Sequence, residues 1–168
     1  VWSRYIKRPV NIVPMNQLQL NSSDKINKLK HNDHFFSVHA IAKAKPPYFV
    51  IYKPQGKSLA NLLKVGERIS PGKIPKLVRT IQEAVKALSK LQIHFKITLK
   101  RIYFDGEEFR IAGMENSSEG EISYSCQKLG NIVALCLSGK TRPKWSELPE
   151  VYRRILKNSI REKTYQNL

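Results

Sequence analysis

IHFKITLKRIYFDGEEFRIAGME (residues 93–115) decides how the rest of the chain is read. A short apolar start, a histidine, a basic run and then RIYFDGEEFRIA follow one another. The last of these reads as two short strands about Asp105-Gly106, a pair suited to a tight hairpin because both positions tolerate positive φ. The stretch has the frame of an active site without an evident catalytic group. Lys96, Lys100 and Arg101 crowd it with positive charge.

Upstream, Leu77, Val78, Ile81, Ala84, Val85, Leu88 and Leu91 recur at helical spacing, which predicts a helix from Leu77 to Leu91. Downstream, ENSSEGEIS is polar and expected to be mobile, LGNIVALCLSG is an apolar helix stopped by Gly139, and PEVYRRILKNSIREK is an amphipathic basic helix. Toward the start, PVNIVPM (9–15) is a β-branched run bounded by Pro9 and Pro14, which suits an edge strand. Ser22, Ser23 and Asp24 can cap a short helix through Leu29. HFFSVHAIA (34–42) and YFVIYK (48–53) read as an antiparallel pair joined by AKPP. Ser58 is a candidate N-cap for LANLL, and ERISPGKIPK reads as loop. A strand-rich first part followed by a helical second part gives an α+β layout.

The whole chain of 168 residues suits one domain, and 41% hydrophobic content supports one core. Thirty Lys and Arg against 13 Asp and Glu give a formal charge of +17, which attracts polyanions. No cysteine spacing fits a metal motif or a disulfide framework, so Cys126 and Cys136 are expected as buried thiols in a reducing compartment, cytoplasmic or nuclear. No apolar run approaches the roughly 20 residues a membrane span needs. Val1 in place of an initiator Met leads us to expect a piece of something longer.

In element order and motif frames the chain resembles protein kinases. YFVIYKPQGKSLANLL is similar to the strand, hinge and short helix joining the two kinase lobes, IHFKITLKRI lies in the frame of H-R-D-L-x-x-x-N, FRIAGME in that of strand-plus-DFG, and LGNIVALCLSGK resembles the buried helix of the larger lobe. The resemblance implies a kinase-like α+β domain over 1–168, with a reduced strand-rich N-lobe at 1–53 and a truncated, mainly helical C-lobe at 54–168.

Position by position, the resemblance implies lost chemistry. His94 keeps the first catalytic-loop residue, Phe95 replaces the arginine, Lys96 the catalytic aspartate, and Arg101 the metal-binding asparagine. Gly113, Met114 and Glu115 fall where Asp-Phe-Gly would be, and Val13 takes the lysine position of V-A-I-K. Phosphoryl transfer needs metal-held phosphates and a group that orients the nucleophile, and every residue that would supply these is changed. Asn11 and Tyr103 match the positions that sandwich adenine, so Tyr103 is expected to fill that space itself. His94 and Met114 resemble members of the apolar column between the lobes.

These changes imply a pseudokinase that lacks catalytic residues, metal and cofactor, and that works as a protein-interaction scaffold or regulator with a protein partner. Lys96, Lys100 and Arg101 remain a candidate anion site. The alternative, from another class, is a basic nucleic-acid-binding module. Between Ala84 and Phe104 no acidic residue occurs, and Arg153, Arg154, Lys157 and Arg161 add charge near the end, so an acidic protein surface or nucleic acid is a conceivable partner. The four histidines, His31, His34, His39 and His94, have no recognisable ligand spacing.

Overall fold

The computed structural model describes residues 9–16, 23–36, 38–42, 45–120 and 126–139, together with positions 146, 150, 153 and 154. It is a mixed α+β fold built from small antiparallel sheets and several helices. The first sheet has the order β1-β3-β2, from β1 (Val10–Pro14), β2 (Val38–Ala42) and β3 (Tyr48–Tyr52). β1 occupies an edge, where a proline at its end leaves no ladder bond unmade. It pairs with β3 from Val10–Tyr52 to Pro14–Tyr48. Both strands turn their buried side chains toward the core, and Phe49 is fully enclosed there.

Before this sheet closes, a helical segment α1, described over residues 23–27, buries Ile26, while Leu29 is buried in the turn that follows. Aromatic and β-branched composition suggests a single strand over 34–42, but β2 starts at Val38. Phe35 and Phe36 serve a different purpose. The Phe36 N–H donates to the Ile111 carbonyl and the Ile111 N–H to the His34 carbonyl, each at 2.8 Å, so this segment runs parallel beside a strand of another sheet. Their aromatic character reflects burial at that junction rather than membership of β2.

The second sheet, β4-β6-β7, combines β4 (Lys57–Ser58) with the hairpin β6 (Ile102–Phe104) and β7 (Phe109–Ile111). Ser58 ends β4 and caps α2 (Leu59–Lys64), its hydroxyl accepting from the Asn61 N–H at 3.3 Å. The hairpin turn is longer than the Asp-Gly signal suggests. Asp105 Oδ1 accepts from the N–H groups of both Glu107 and Glu108, at 3.0 and 2.8 Å, which holds a four-residue connection in place of a two-residue one.

α3 (Ile74–Lys90) is the main helix, entered through a 3-10 turn at Pro71–Lys73. Its first turn lies in what the sequence suggested was loop. Pro75 is compatible with that position because the first N–H groups of a helix have no intrahelical partner. Ile74, Leu77, Ile81, Ala84 and Leu88 are all fully buried and form its inner stripe. Each large one contributes roughly 1.5–3 kcal/mol of burial. α4 (Cys126–Ser138) packs against α3 and ends at Gly139 in a left-handed conformation (φ 75°). The Ile69 N–H donates to the Cys136 carbonyl at 3.1 Å, fastening the α2–α3 connection to α4.

The third pairing joins β5 (Ile93–His94) to β8 (Ser118–Glu119). The polar stretch expected to be mobile is therefore structured in part: a 3-10 turn spans Met114–Asn116, Ser117 is buried, and its hydroxyl donates to the Met114 carbonyl at 2.7 Å. Most of the expected C-terminal helix lies outside the described residues. So do Val1–Tyr5 and the side chains of His39 and Cys126.

Candidate functional site

β5 leads into a loop in which Phe95 and Ile97 are buried and Lys96 between them is exposed. Alternation thus directs Lys96 to solvent. A turn then reverses the chain, with the N–H groups of Arg101 and Ile102 both donating to the Thr98 carbonyl at 2.9 and 3.2 Å. This reversal returns Arg101 to the start of the loop. Its guanidinium carbon lies 4.6 Å from the centroid of the Phe95 ring.

Gly113 completes the cluster from the other side. The Arg101 carbonyl accepts from the Ala112 N–H at 2.8 Å, which brings the two segments together. Gly113 takes φ 88°, and a Cβ built there would lie 3.6 Å from the Arg101 side chain. The structure therefore gathers Phe95, Arg101 and Gly113 into one packed unit. A cation held on an aromatic face stands there, stabilised by the ring quadrupole.

The other sequence-derived positions are distributed differently. Lys96 and Lys100 are both exposed. Tyr103 is half-buried in β6, its ring edge-on to Phe36 with centroids 5.8 Å apart and planes at 84°. Asn11 is exposed and Val13 half-buried on β1, in the sheet to which Tyr103 does not belong. Met114 is buried, whereas His94 is exposed on β5. Among the described residues, no three His, Cys, Asp or Glu side chains gather closely enough to hold a metal ion.

Two cavities lie in other parts of the fold. One cavity of about 320 Å³ opens between the end of the first sheet and the segment preceding β2, with Lys30, Lys53 and Arg110 on its walls. A second, of about 400 Å³, lies beside α3 and includes Lys76, Arg79 and Arg110. Neither is lined by Lys96, Lys100 or Arg101. Arg110 is half-buried on β7, between buried Phe109 and Ile111. Its guanidinium lies 5.8 Å from the Phe36 ring centroid.

Among the described residues, Asp105 and Cys136 have displaced acidities. The Asp105 carboxyl is held below its ordinary 3.8, first by the Glu108 N–H and further by the Glu107 N–H and the Arg110 charge, against some desolvation. Burial pushes the Cys136 thiol up to about 12. No helix among the described residues is long and apolar enough to cross a membrane. No protein-family model matches the chain, and no curated protein matches its sequence.

Proposed function

We propose that this chain is a catalytically inactive, kinase-like domain that serves as a protein-interaction scaffold or regulator. The observation that carries the reading is Arg101 stacked 4.6 Å above Phe95 with Gly113 beside its stem. In the kinase-like frame, two of these positions would hold the metal-binding asparagine and aspartate. Here they supply a guanidinium group and a residue without a side chain. Exposed Lys96 occupies the frame's proton-accepting position and adds a second positive charge. A pair of cations repels magnesium, and without metal the phosphates have no bridging ion.

The succession of elements also supports this reading. A three-stranded sheet is followed by a short linker, the capped helix α2, the long helix α3, the 95–101 loop, a hairpin and the buried helix α4, which is the order the resemblance implies. Tyr103, engaged edge-on with Phe36, would contribute its ring to the space between the lobes that a base would otherwise occupy.

A thermal-shift titration tests the proposal. With a closed, cationic slot, MgATP leaves the melting temperature unchanged, because only a ligand that binds the native state stabilises it. A rise that depends on magnesium would overturn the reading. A rise with ATP alone that disappears in Lys96→Ala would replace it with metal-free phosphate binding by fixed cations.

A further inference from the structure

The two cavities are neighbours, with Asp33 and Arg110 lining both. On one side of this saddle stand Lys30, His31 and Lys53, and on the other Lys76 and Arg79. Arg110 between them is planted against Phe36, whose ring is in turn braced by Tyr103. The central cation is thus preorganised, which lowers the ordering cost of binding. We propose that the neighbouring cavities form a groove for an acidic peptide segment of a partner protein, with Arg110 at its centre. This rests on the interaction role proposed above and names the surface that performs it.

Three features favour a peptide over a nucleic acid strand. Cations in the groove are interspersed with carboxylates, Asp33 at the saddle and Glu108 paired with Lys76. A phosphodiester backbone carries a charge at every nucleotide and would have to pass both carboxylates. A peptide can place neutral residues there. Second, Phe36 has its ring taken by Tyr103 and Arg110, so it does not offer the open aromatic face on which bases stack. Third, cavities of about 320 and 400 Å³ suit individual side chains entering from an extended chain.

The groove also has a continuation. Arg79, Lys86 and Lys90 are exposed at seven- and four-residue separations along α3, which places them on one face of the helix, opposite its buried stripe. Arg79 belongs to both the second cavity and this face. An acidic segment leaving the groove there would meet further positive charge over the next three turns.

Fluorescence anisotropy with a fluorescein-labelled peptide of repeating Glu-Ser-Glu-Gly tests this on the full chain. Lys53→Ala combined with Arg79→Ala removes two exposed cations from the groove, and Lys96→Ala combined with Lys100→Ala removes two from the other site. The first pair is expected to weaken binding about tenfold and the second by less than about twofold. Arg110→Lys keeps the charge but loses the planar fork, and is expected to weaken binding with little change in melting temperature. Equal losses from the two double variants would reduce the effect to overall charge and overturn the proposal. So would an absence of peptide binding at low salt, or displacement of the peptide by oligothymidylate of equal charge at lower concentration than by unlabelled peptide. The readout uses neither ATP nor magnesium, so its failure leaves the MgATP result standing, and the reverse holds too.

Discussion

The Arg101 guanidinium and the Phe95 ring are 4.6 Å apart, and the five residues between them must fold the chain back on itself to make that contact. Phe95 is 2% exposed, so its removal opens a cavity as well as ending the stack. Phe95→Ala is expected to cost about 3–5 kcal/mol by urea denaturation. Arg101→Ala, which loses the cation and the packing of its stem, is expected to cost about 1 kcal/mol. If the two residues form a unit, the double variant costs less than the sum of the single ones. Strict additivity would mean that Arg101 merely lies over the ring.

Two glycines with nearly the same φ separate strain from collision. Gly56 has φ 79°, and a Cβ there would lie 2.2 Å from the Phe104 carbonyl oxygen; Gly66 has φ 85°, with nothing within 4 Å. Gly66→Ala therefore pays only for the left-handed conformation, about 1–2 kcal/mol. Gly56→Ala adds a clash with backbone that cannot rotate away, between the linker before β4 and the end of β6. Its expected cost exceeds about 4 kcal/mol, measured as loss of cooperative unfolding at ambient temperature. Similar melting temperatures for the two variants would show that the linker can move away from β6.

What could be read from sequence was whatever repeats. The inner stripe of α3 recurs often enough to define a helix, and prolines at both ends of a β-branched run marked β1 as an edge. β5 and β8 have two residues each, too few for alternation to register, so the stretch around Ser118 read as mobile. At Asp105 the side chain overrode the familiar Asp-Gly preference by collecting two backbone N–H groups, and the turn lengthened. The site followed the same division. Lys96 was legible as a cation in a basic run and its exposure comes from the structure, while the approach of Arg101 to Phe95 depends on a turn at Thr98 that has no composition signal. Arg110 carries no sequence signal of its own, because its contact is with the Phe36 ring, far away along the chain.

The Asp105 turn supplies a pH signature. A carboxyl whose acidity is strengthened on folding stabilises the native state above its unfolded pKa and loses that contribution as pH falls through the lower folded one. Asp105→Ala should therefore destabilise the protein by about 1 kcal/mol near neutrality, from the lost acceptor of two N–H groups. The gap to the unsubstituted protein should begin to narrow near pH 3.8 and continue closing below it. Urea titrations across the acid range check this. A gap that persists unchanged at the acid end would place the effect in backbone propensity rather than in the charge.

Cys136 provides a measure of how tightly α4 is seated. Its side chain is wholly enclosed, its thiol is pushed up to about 12, and its carbonyl holds the Ile69 N–H. Only the thiolate reacts with a disulfide reagent, so both the low thiolate fraction and the enclosure oppose labelling. In a Cys126→Ser background, where Cys136 is the remaining cysteine, labelling with Ellman's reagent at mildly alkaline pH should be negligible for the native protein and complete in urea. Its rate against urea concentration then reports the opening of α4 from α3. Should labelling become fast well below the urea concentration at which the far-ultraviolet circular dichroism is lost, α4 would detach as a separate unit. Coincident transitions would mean that α3, the 95–101 loop and α4 open together, as expected of a helix tied to the α2–α3 connection by a backbone hydrogen bond.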